Sequence, residues 1–356
     1  MKNHAVGTHK LAINRAFLSQ RVTGQQRYAT EVAKRLLADA SYARAIDPPE
    51  QIRGNRFREW IWVQGPGVRA QRGEKLLSLT SRAPIVRARH IVVVHDLFVL
   101  TNPQWFSPIY ARSHGPVLRA QLATAAACVA VSEPTAQAVR AVVGAKVPVV
   151  VAPNGVTTVF ATADDDRTLS HATLSRHRLR RKSYFLSVGS LEPRKNLTRL
   201  AKAYSALAPG VRHRYPLLLA GLGADVFRKR AYEWPEGVKL LGYVPDEDLR
   251  ILYENCLATI VPSLDEGFGL PLIEAAAACA PLLLSDIPTF RWVYGDGAKY
   301  FDPLTEADMV TALEETIRDE TIPSYAQLKT KAIEIQTRFD WDATAAAIKR
   351  LVEEMN

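Results

Sequence analysis

Short β-branched or leucine-rich runs alternate with amphipathic stretches along most of this chain. In the first half, "KLAINRAFL", "HIVVVHDL", "CVAVS" and "VPVVVAPNG" read as strands, with helical patterns such as "GQQRYATEVAKRLLAD" and "EPTAQAVRAVVG" between them. The rhythm restarts after "RRKS". There "YFLSVGSL", "YPLLLAGLG", "VKLLGYV", "CLATIVPSL" and "APLLLSD" read as strands, and "NLTRLAKAYSAL", "DEDLRILYEN" and "LPLIEAAAAC" as helices. Repeated strand–helix units imply parallel sheets with helices on both faces, and two such series imply two doubly wound α/β domains. The polar stretch 157–182 is the natural linker, giving a first domain at 1–160, a linker at 161–182 and a second domain from 183. In such sheets ligands bind beyond the carboxyl ends of the strands, so the chemistry is expected in the strand-to-helix loops.

Composition narrows the class. A chain of 356 residues with 47% hydrophobic and 23% charged residues is ordinary for a soluble globular protein of two domains. No apolar run is long enough to span a membrane, and the N-terminal stretch lacks the apolar core of a signal peptide. Cys128, Cys256 and Cys279 sit in apolar surroundings without ligand spacing, as expected of reduced core thiols in a cytoplasmic protein. Charge is unevenly distributed. Residues 1–150 hold 21 Lys/Arg against 8 Asp/Glu, whereas residues 251–356 hold 8 against 18. A basic N-terminal half attracts phosphorylated ligands, an anionic membrane face or nucleic acid. Its basic residues are scattered rather than interleaved with aromatics, which disfavours nucleic acid.

Three loops carry candidate chemistry. In "FLSVGSLEPRKNLTRL" a strand ends at Val188, Gly189 and Ser190 turn the chain, and Arg194 and Lys195 precede a helix starting near Asn196. Two cations beside a helix N-terminus oppose its dipole. A bound anion would resolve this, a diphosphate best; the alternative is a solvated basic turn. In "IVPSLDEGFGLPLIEAAAAC", Gly267 and Gly269 flank Phe268 and Pro271 suits the first turn of a helix. Glu266 and Glu274 can then face one cleft, where carboxylates accept hydrogen bonds from sugar or ribose diols. On spacing alone, Glu266 capping the helix and Glu274 on the surface fit as well. In "HIVVVHDLFVL", His95 ends a buried strand, as a structural residue, an acid/base or a donor to substrate.

Other matches carry little. "GPGVRA" and "GLGADV" lack the context of a dinucleotide fingerprint. The Tyr325–Lys329 spacing of short-chain reductases stands near the C-terminus without that fingerprint. The acids Asp246 to Asp248 resemble an Asp-x-Asp metal motif but start a helix, where first-turn acids suit the dipole. Asp164 to Asp166 fall in the linker.

Together the loops resemble one family. "SVGSLEPRKNL", "LLLAGLG", "VKLLGYVPDEDLRILYENCLATIVPSLDEGFGLPLIEA" and "WDATA" follow in the order found in retaining glycosyltransferases of family 4. "TGQQRYATEVAKRL", "VVVHDLFVLTNPQWFS", "VAVSEPTAQAV" and "VVVAPNGVTTVF" fit as well, with the likeness weakest over residues 40–80. The resemblance implies a GT-B fold, two Rossmann-like domains facing a cleft, with the donor held by the second domain (183–338) and the acceptor by the first. It implies no metal and no cofactor, and a last helix (339–356) returning to the first domain. By the same resemblance Glu274 would bind the donor ribose. Glu266 and the backbone of Gly267, Phe268, Gly269 and Leu270 would hold the transferred sugar. Lys195 and Arg194, beside Gly189 and Ser190, would bind the diphosphate. Gly24 would lie in a loop closing over the phosphates, His95 near the reacting sugar, and Tyr243 and Val244 near the base.

Two departures stand out. Many members have Gly-Arg-Leu where this chain has Gly189-Ser190-Leu191, and an acid where it has Arg194, so Arg194 is expected to replace the missing cation. "TGQQ" also lacks a common second small residue, leaving the role of Gln25 open. The wording "HDL" and "EPRKN" is similar to bacterial mannosyl- and rhamnosyltransferases of polysaccharide assembly. The expected reaction is transfer of a hexosyl unit, mannose from GDP-mannose preferred, to a lipid-linked glycan at the inner face of the cytoplasmic membrane. Rhamnosyl and glucosyl transfer are alternatives within the family. A glycoside hydrolase using Glu266 and Glu274, or a non-catalytic nucleotide-binding module, are alternatives outside it.

Overall fold

A computed structural model describes residues 9–20, 23–161, 167–221, 233–319 and 322–355. The chain divides into two compact units, Met1–Gly155 with Phe339–Asn356, and Val156–Arg338. Each is built on a six-stranded sheet among the described residues, and every strand pair is parallel.

The first unit contains β1 (Leu11–Asn14), β2 (Ala43–Ile46), β3 (Lys75–Ser78), β4 (His90–Val94), β5 (Ala127–Ala130) and β6 (Val149–Val151). Their order is β2-β1-β3-β4-β5-β6. The principal helices are α1 (Gly24–Leu37), α2 (Arg56–Gln64), α3 (Pro108–Thr124) and α4 (Glu133–Val143). Helix α1 starts from a capping box in which Thr23 and Gln26 satisfy each other's backbone groups. Helix α4 starts at Ser132, whose hydroxyl accepts from Thr135 N, with Pro134 in the first turn. Strands β2 and β3 and helix α2 fall where the hydrophobic rhythm was not legible. Both strands have only four residues, and β2 carries Arg44, which turns to Glu74 at 2.7 Å.

The second unit contains α5 (Arg167–Arg176), β7 (Phe185–Val188), α6 (Leu197–Ser205), β8 (Leu217–Ala220), β9 (Val238–Gly242) and α7 (Asp246–Asn255). It continues through β10 (Ala258–Val261), α8 (Leu270–Ala277), β11 (Leu282–Ser285), β12 (Lys299–Phe301) and α9 (Tyr325–Arg338). The order is β12-β11-β10-β7-β8-β9. From β7 the chain runs outward one way to β9, then returns to lay β10 on the other side of β7. Adjacent loops after β7 and β10 therefore diverge, which opens a crevice at the switch point. Helix α6 buries Leu197, Leu200 and Tyr204, at helical spacing, against Phe185, Leu217 and Leu219. Truncating Leu200 to alanine there is worth about 2–5 kcal/mol.

Helix α5 lies inside the stretch expected to be a linker and groups with the second unit. Its polar residues are tied down: Thr173 donates to Asp248 Oδ1 at 2.7 Å and Arg176 to Asp248 Oδ2 at 2.5 Å. Asp248 stands in the acidic first turn of α7. The acids 164–166 and most of "GLGADV" fall outside the described residues.

Helix α10 (Trp341–Glu354) belongs to the first unit and packs on α1. Tyr28 meets Trp341 edge to face at 5.8 Å, Arg35 pairs with Asp342 at 2.5 Å, and Thr344 donates to Pro153 O at 2.6 Å. Gly155 leaves the room Trp341 occupies, since a Cβ there would stand 2.6 Å from the tryptophan ring and its backbone nitrogen. Cys128, Cys256 and Cys279 are all buried and unpaired.

Candidate functional site

The crevice between β7 and β10 gathers most of the candidate residues. Val188 ends β7, and the Gly189 N–H continues its ladder by donating to Ala220 O at 3.0 Å. Pro193, Arg194 and Lys195 form a single 3-10 turn, and Asn196 takes a left-handed conformation (φ 56°) to start α6. The Asn196 side chain is buried and donates to Pro262 O at 3.0 Å and Pro303 O at 2.8 Å. Leu264 N donates to Arg194 O at 2.7 Å. These bonds fasten the loop after β7 to the loops after β10 and β12.

Between them lies Glu266. Arg194 Nη1 reaches its Oε2 at 2.6 Å, Lys195 Nζ its Oε1 at 2.5 Å, and Ser263 Oγ donates to Oε1 at 2.8 Å. The backbone carbonyl of Glu266 accepts from Thr289 Oγ1 at 2.7 Å. Glu266 is 7% exposed. Burial alone would raise its pKa, but Arg194, then Lys195 and Ser263, outweigh it and bring the carboxyl down to about 2. Arg194 also donates from Nε to Glu192 Oε2 at 2.7 Å, and Ser190 Oγ donates to Glu192 Oε1 at 2.7 Å. Glu192 is exposed at the surface; partial desolvation opposes its ionisation, but Arg194, then Ser190, lowers its pKa all the same.

The cations that pointed to an anion beside α6 thus already face two carboxylates. Glu192 and Ser263 were not singled out from sequence. Their signals are local: an acid two residues before Arg194 and a hydroxyl three before Glu266.

Downstream, Gly267, Phe268 and Gly269 are buried and Leu270 is half-buried. Gly269 precedes α8 at φ +103°, where L side chains are strained, and a Cβ there would meet the Phe290 ring at 2.9 Å. Pro271 falls in the first turn of α8, as its position suggested. Glu274, one turn further, is 6% exposed, which rules out the surface reading left open by spacing. Tyr243 and Val244 follow edge strand β9, two strands from β7; Tyr243 is 74% exposed and Val244 is buried.

Gly24 and His95 lie in the first unit. Gly24 is the first residue of α1, exposed, between the capping partners Thr23 and Gln26. His95 follows β4, and its Nε2 stands 2.9 Å from Leu79 O. A carbonyl only accepts, so Nε2 carries the proton and Nδ1 is the acceptor. Burial lowers the His95 pKa to about 4 against that bond, which raises it. The ring is therefore neutral at pH 7 and meets Tyr28 edge to face at 5.1 Å.

Two parallel doubly wound units of this kind are the GT-B architecture. Across 98% of this chain and 99% of the other, the fold is similar to sucrose-phosphate synthase from Thermosynechococcus elongatus, with a TM-score of 0.72 at 18% identity. It is also similar to WaaG, a glycosyltransferase involved in lipopolysaccharide biosynthesis, with a TM-score of 0.67 at 12% identity, over 97% of this chain and 99% of that one. Residues 174–335, which include the whole crevice, match the family described as glycosyl transferases group 1, so the chain carries a glycosyltransferase group 1 domain.

Among curated relatives, O-antigen chain mannosyltransferase B of Escherichia coli is 34% identical over 179 residues, 48% of this chain and 45% of that protein. O-antigen chain mannosyltransferase RfbU of Salmonella typhimurium is 34% identical over 141 residues, 38% of each. The match spans less than half the length of either relative.

Proposed function

We propose that this protein is a retaining, metal-independent glycosyltransferase that moves a mannosyl unit from GDP-mannose to a hydroxyl of a lipid-linked glycan in bacterial surface polysaccharide synthesis. The observation that carries the reading is the convergence of Arg194, Lys195 and Glu266 at the switch point of a group 1 domain. The mannosyltransferase names of the relatives favour that sugar, and their O-antigen names favour a growing surface glycan as acceptor.

In this reading a donor diphosphate lies against Arg194, Lys195 and the N-terminus of α6. There the cations and helix dipole stabilise the charge that develops as the sugar–phosphate bond breaks. Glu192, 51% exposed at its side chain, is the carboxylate that the diphosphate displaces from Arg194. Glu266, held ionised, accepts hydrogen bonds from the sugar, and Glu274 from the ribose diol. The acceptor attacks from the face the diphosphate leaves, and the leaving phosphate takes the acceptor's proton. The low pKa of Glu266 disfavours the hydrolase alternative in the form where this residue is the acid, because glycosidic acid catalysis needs a raised carboxyl pKa.

A panel of nucleotide sugars, scored for nucleotide release with and without glycan acceptor and with EDTA, tests the proposal. Acceptor-dependent GDP release from GDP-mannose that survives EDTA is expected. Sugar release from a glycoside without nucleotide would establish the hydrolase, and binding without turnover the nucleotide module.

A further inference from the structure

Helix α2 is apolar on both faces, and among the described residues only one of them has a partner. Asn55 caps it by accepting from Arg58 N at 3.0 Å. The inner face sets Val63 and Glu59, 3% and 1% exposed, into the unit. Trp62 packs on the cluster of Ala12, Ile46, Val68 and Leu76. Glu59 is fixed there by an ion pair to Arg82 and by the Gly54 N–H at 2.8 Å. The outer face carries Phe57, Trp60 and Ile61, which are 70%, 54% and 49% exposed. At 3.6 residues per turn these three fall within an arc of about 100°. Three large apolar side chains on one exposed stripe are not explained by folding of the unit.

The neighbouring loop extends the patch. Gln64, the last residue of α2, accepts from Ile85 N at 2.9 Å through its side chain, and Arg87 donates to its backbone carbonyl at 2.6 Å. Val86, between them in sequence, is 59% exposed. The surroundings have one sign of charge. Residues 53–89 contain nine Lys/Arg and only two acids, Glu59 and Glu74. Both acids are 1% exposed and ion-paired inward, to Arg82 and Arg44. Arg53, Arg58, Arg69, Arg72 and Arg89 are exposed.

We infer that the outer face of α2 is a docking surface for an anionic lipid bilayer, with Phe57, Trp60 and Ile61 seated at the headgroup–acyl boundary and the arginines on lipid phosphates. An apolar stripe with tryptophan, bordered by cations, fits that interface, where apolar burial and electrostatic attraction add. A purely apolar protein groove would leave the arginines unmatched. No helix among the described residues is long and apolar enough to cross a membrane, so this contact is interfacial. The inference deepens the proposed use of a lipid-linked acceptor and rests on that reading only for its biological sense.

The test is co-sedimentation of the whole protein with phosphatidylcholine vesicles, with and without phosphatidylglycerol, at low and high salt. Binding that needs phosphatidylglycerol and weakens with salt is expected. The triple variant Phe57→Ser, Trp60→Ser, Ile61→Ser should lose at least about ten-fold in vesicle affinity. Arg58→Glu with Arg69→Glu should lose the preference for phosphatidylglycerol. Unchanged thermal unfolding of both variants shows that they fold.

Equal vesicle binding by the triple variant and the parent would overturn the inference. So would a parent dimer, seen by size exclusion, that the triple variant dissolves, because the stripe would then be a protein contact. Nucleotide release measured in solution on the same preparations separates the two claims. Turnover without vesicle binding refutes the docking surface alone, and vesicle binding without turnover refutes the transferase alone.

Discussion

Glu266→Gln isolates the electrostatics at the centre of the crevice. The substitution keeps the shape and the Ser263 partner but removes the charge facing Arg194 and Lys195. Lowering a carboxyl from 4.5 to about 2 corresponds, at about 1.4 kcal/mol per pH unit, to roughly 3 kcal/mol of folded-state stabilisation. Arg194 and Lys195 are 20% and 12% exposed at their side chains, so water screens part of the repulsion left behind. A net loss of about 2–3 kcal/mol at pH 7 is therefore expected, within reach of the cost of orphaning one partner of a buried pair. For a unit of this size that lowers the melting temperature by roughly 5–10 °C.

The assay is thermal unfolding of parent and variant across pH. A group whose folded pKa lies below its ordinary value stabilises fully above the ordinary value and loses that contribution as pH falls toward the folded one. The gap between the two proteins should stay constant from pH 8 to about 5, then narrow between about 4.5 and 2. Equal melting temperatures at pH 7, or a gap that closes between pH 6 and 8, would refute the reasoning.

Glu274→Ala should weaken donor nucleotide binding by about ten- to a hundred-fold with a smaller effect on turnover, the loss of a charged hydrogen-bonding group. Glu266→Ala should show the opposite balance in steady-state kinetics, and the reverse pattern would swap the two roles. Arg194→Ala should raise the donor KM, whereas Glu192→Gln, which removes the competing carboxylate, should lower it; unchanged values for both would remove Arg194 from the diphosphate site. Gly155→Ala puts a Cβ 2.6 Å from Trp341 and should cost the first unit about 1–3 kcal/mol, read as faster amide exchange in α10 with the second unit unaffected.

Much of the architecture was legible because a parallel sheet buried on both faces writes itself as continuous apolar runs. "YFLSV", "LLLA" and "LATIV" could hardly be anything else. The runs that escaped, β2, β3 and β12, have three or four residues each, and each includes a charged side chain, Arg44, Lys75 and Lys299. Helix α5 escaped because its stretch is polar, and its place depends on Asp248, more than seventy positions downstream.

The sequence by itself determined the two-fold strand–helix rhythm, the loops in which chemistry would lie, and the resemblance carried by those loops. Periodicity, turn residues and helix starts are properties of near neighbours, so they can be read along the chain. Only the tertiary structure decided what the loops do to one another. Glu266 meets Arg194 and Lys195 across 72 and 71 positions, because the switch in strand order lays β10 beside β7. That contact gave the two cations a carboxylate to face and fixed the charge state of the acid, while Glu274, in α8, came to lie buried rather than on the surface. Charge state and burial are set by what surrounds a side chain in space, and no spacing along the chain encodes that.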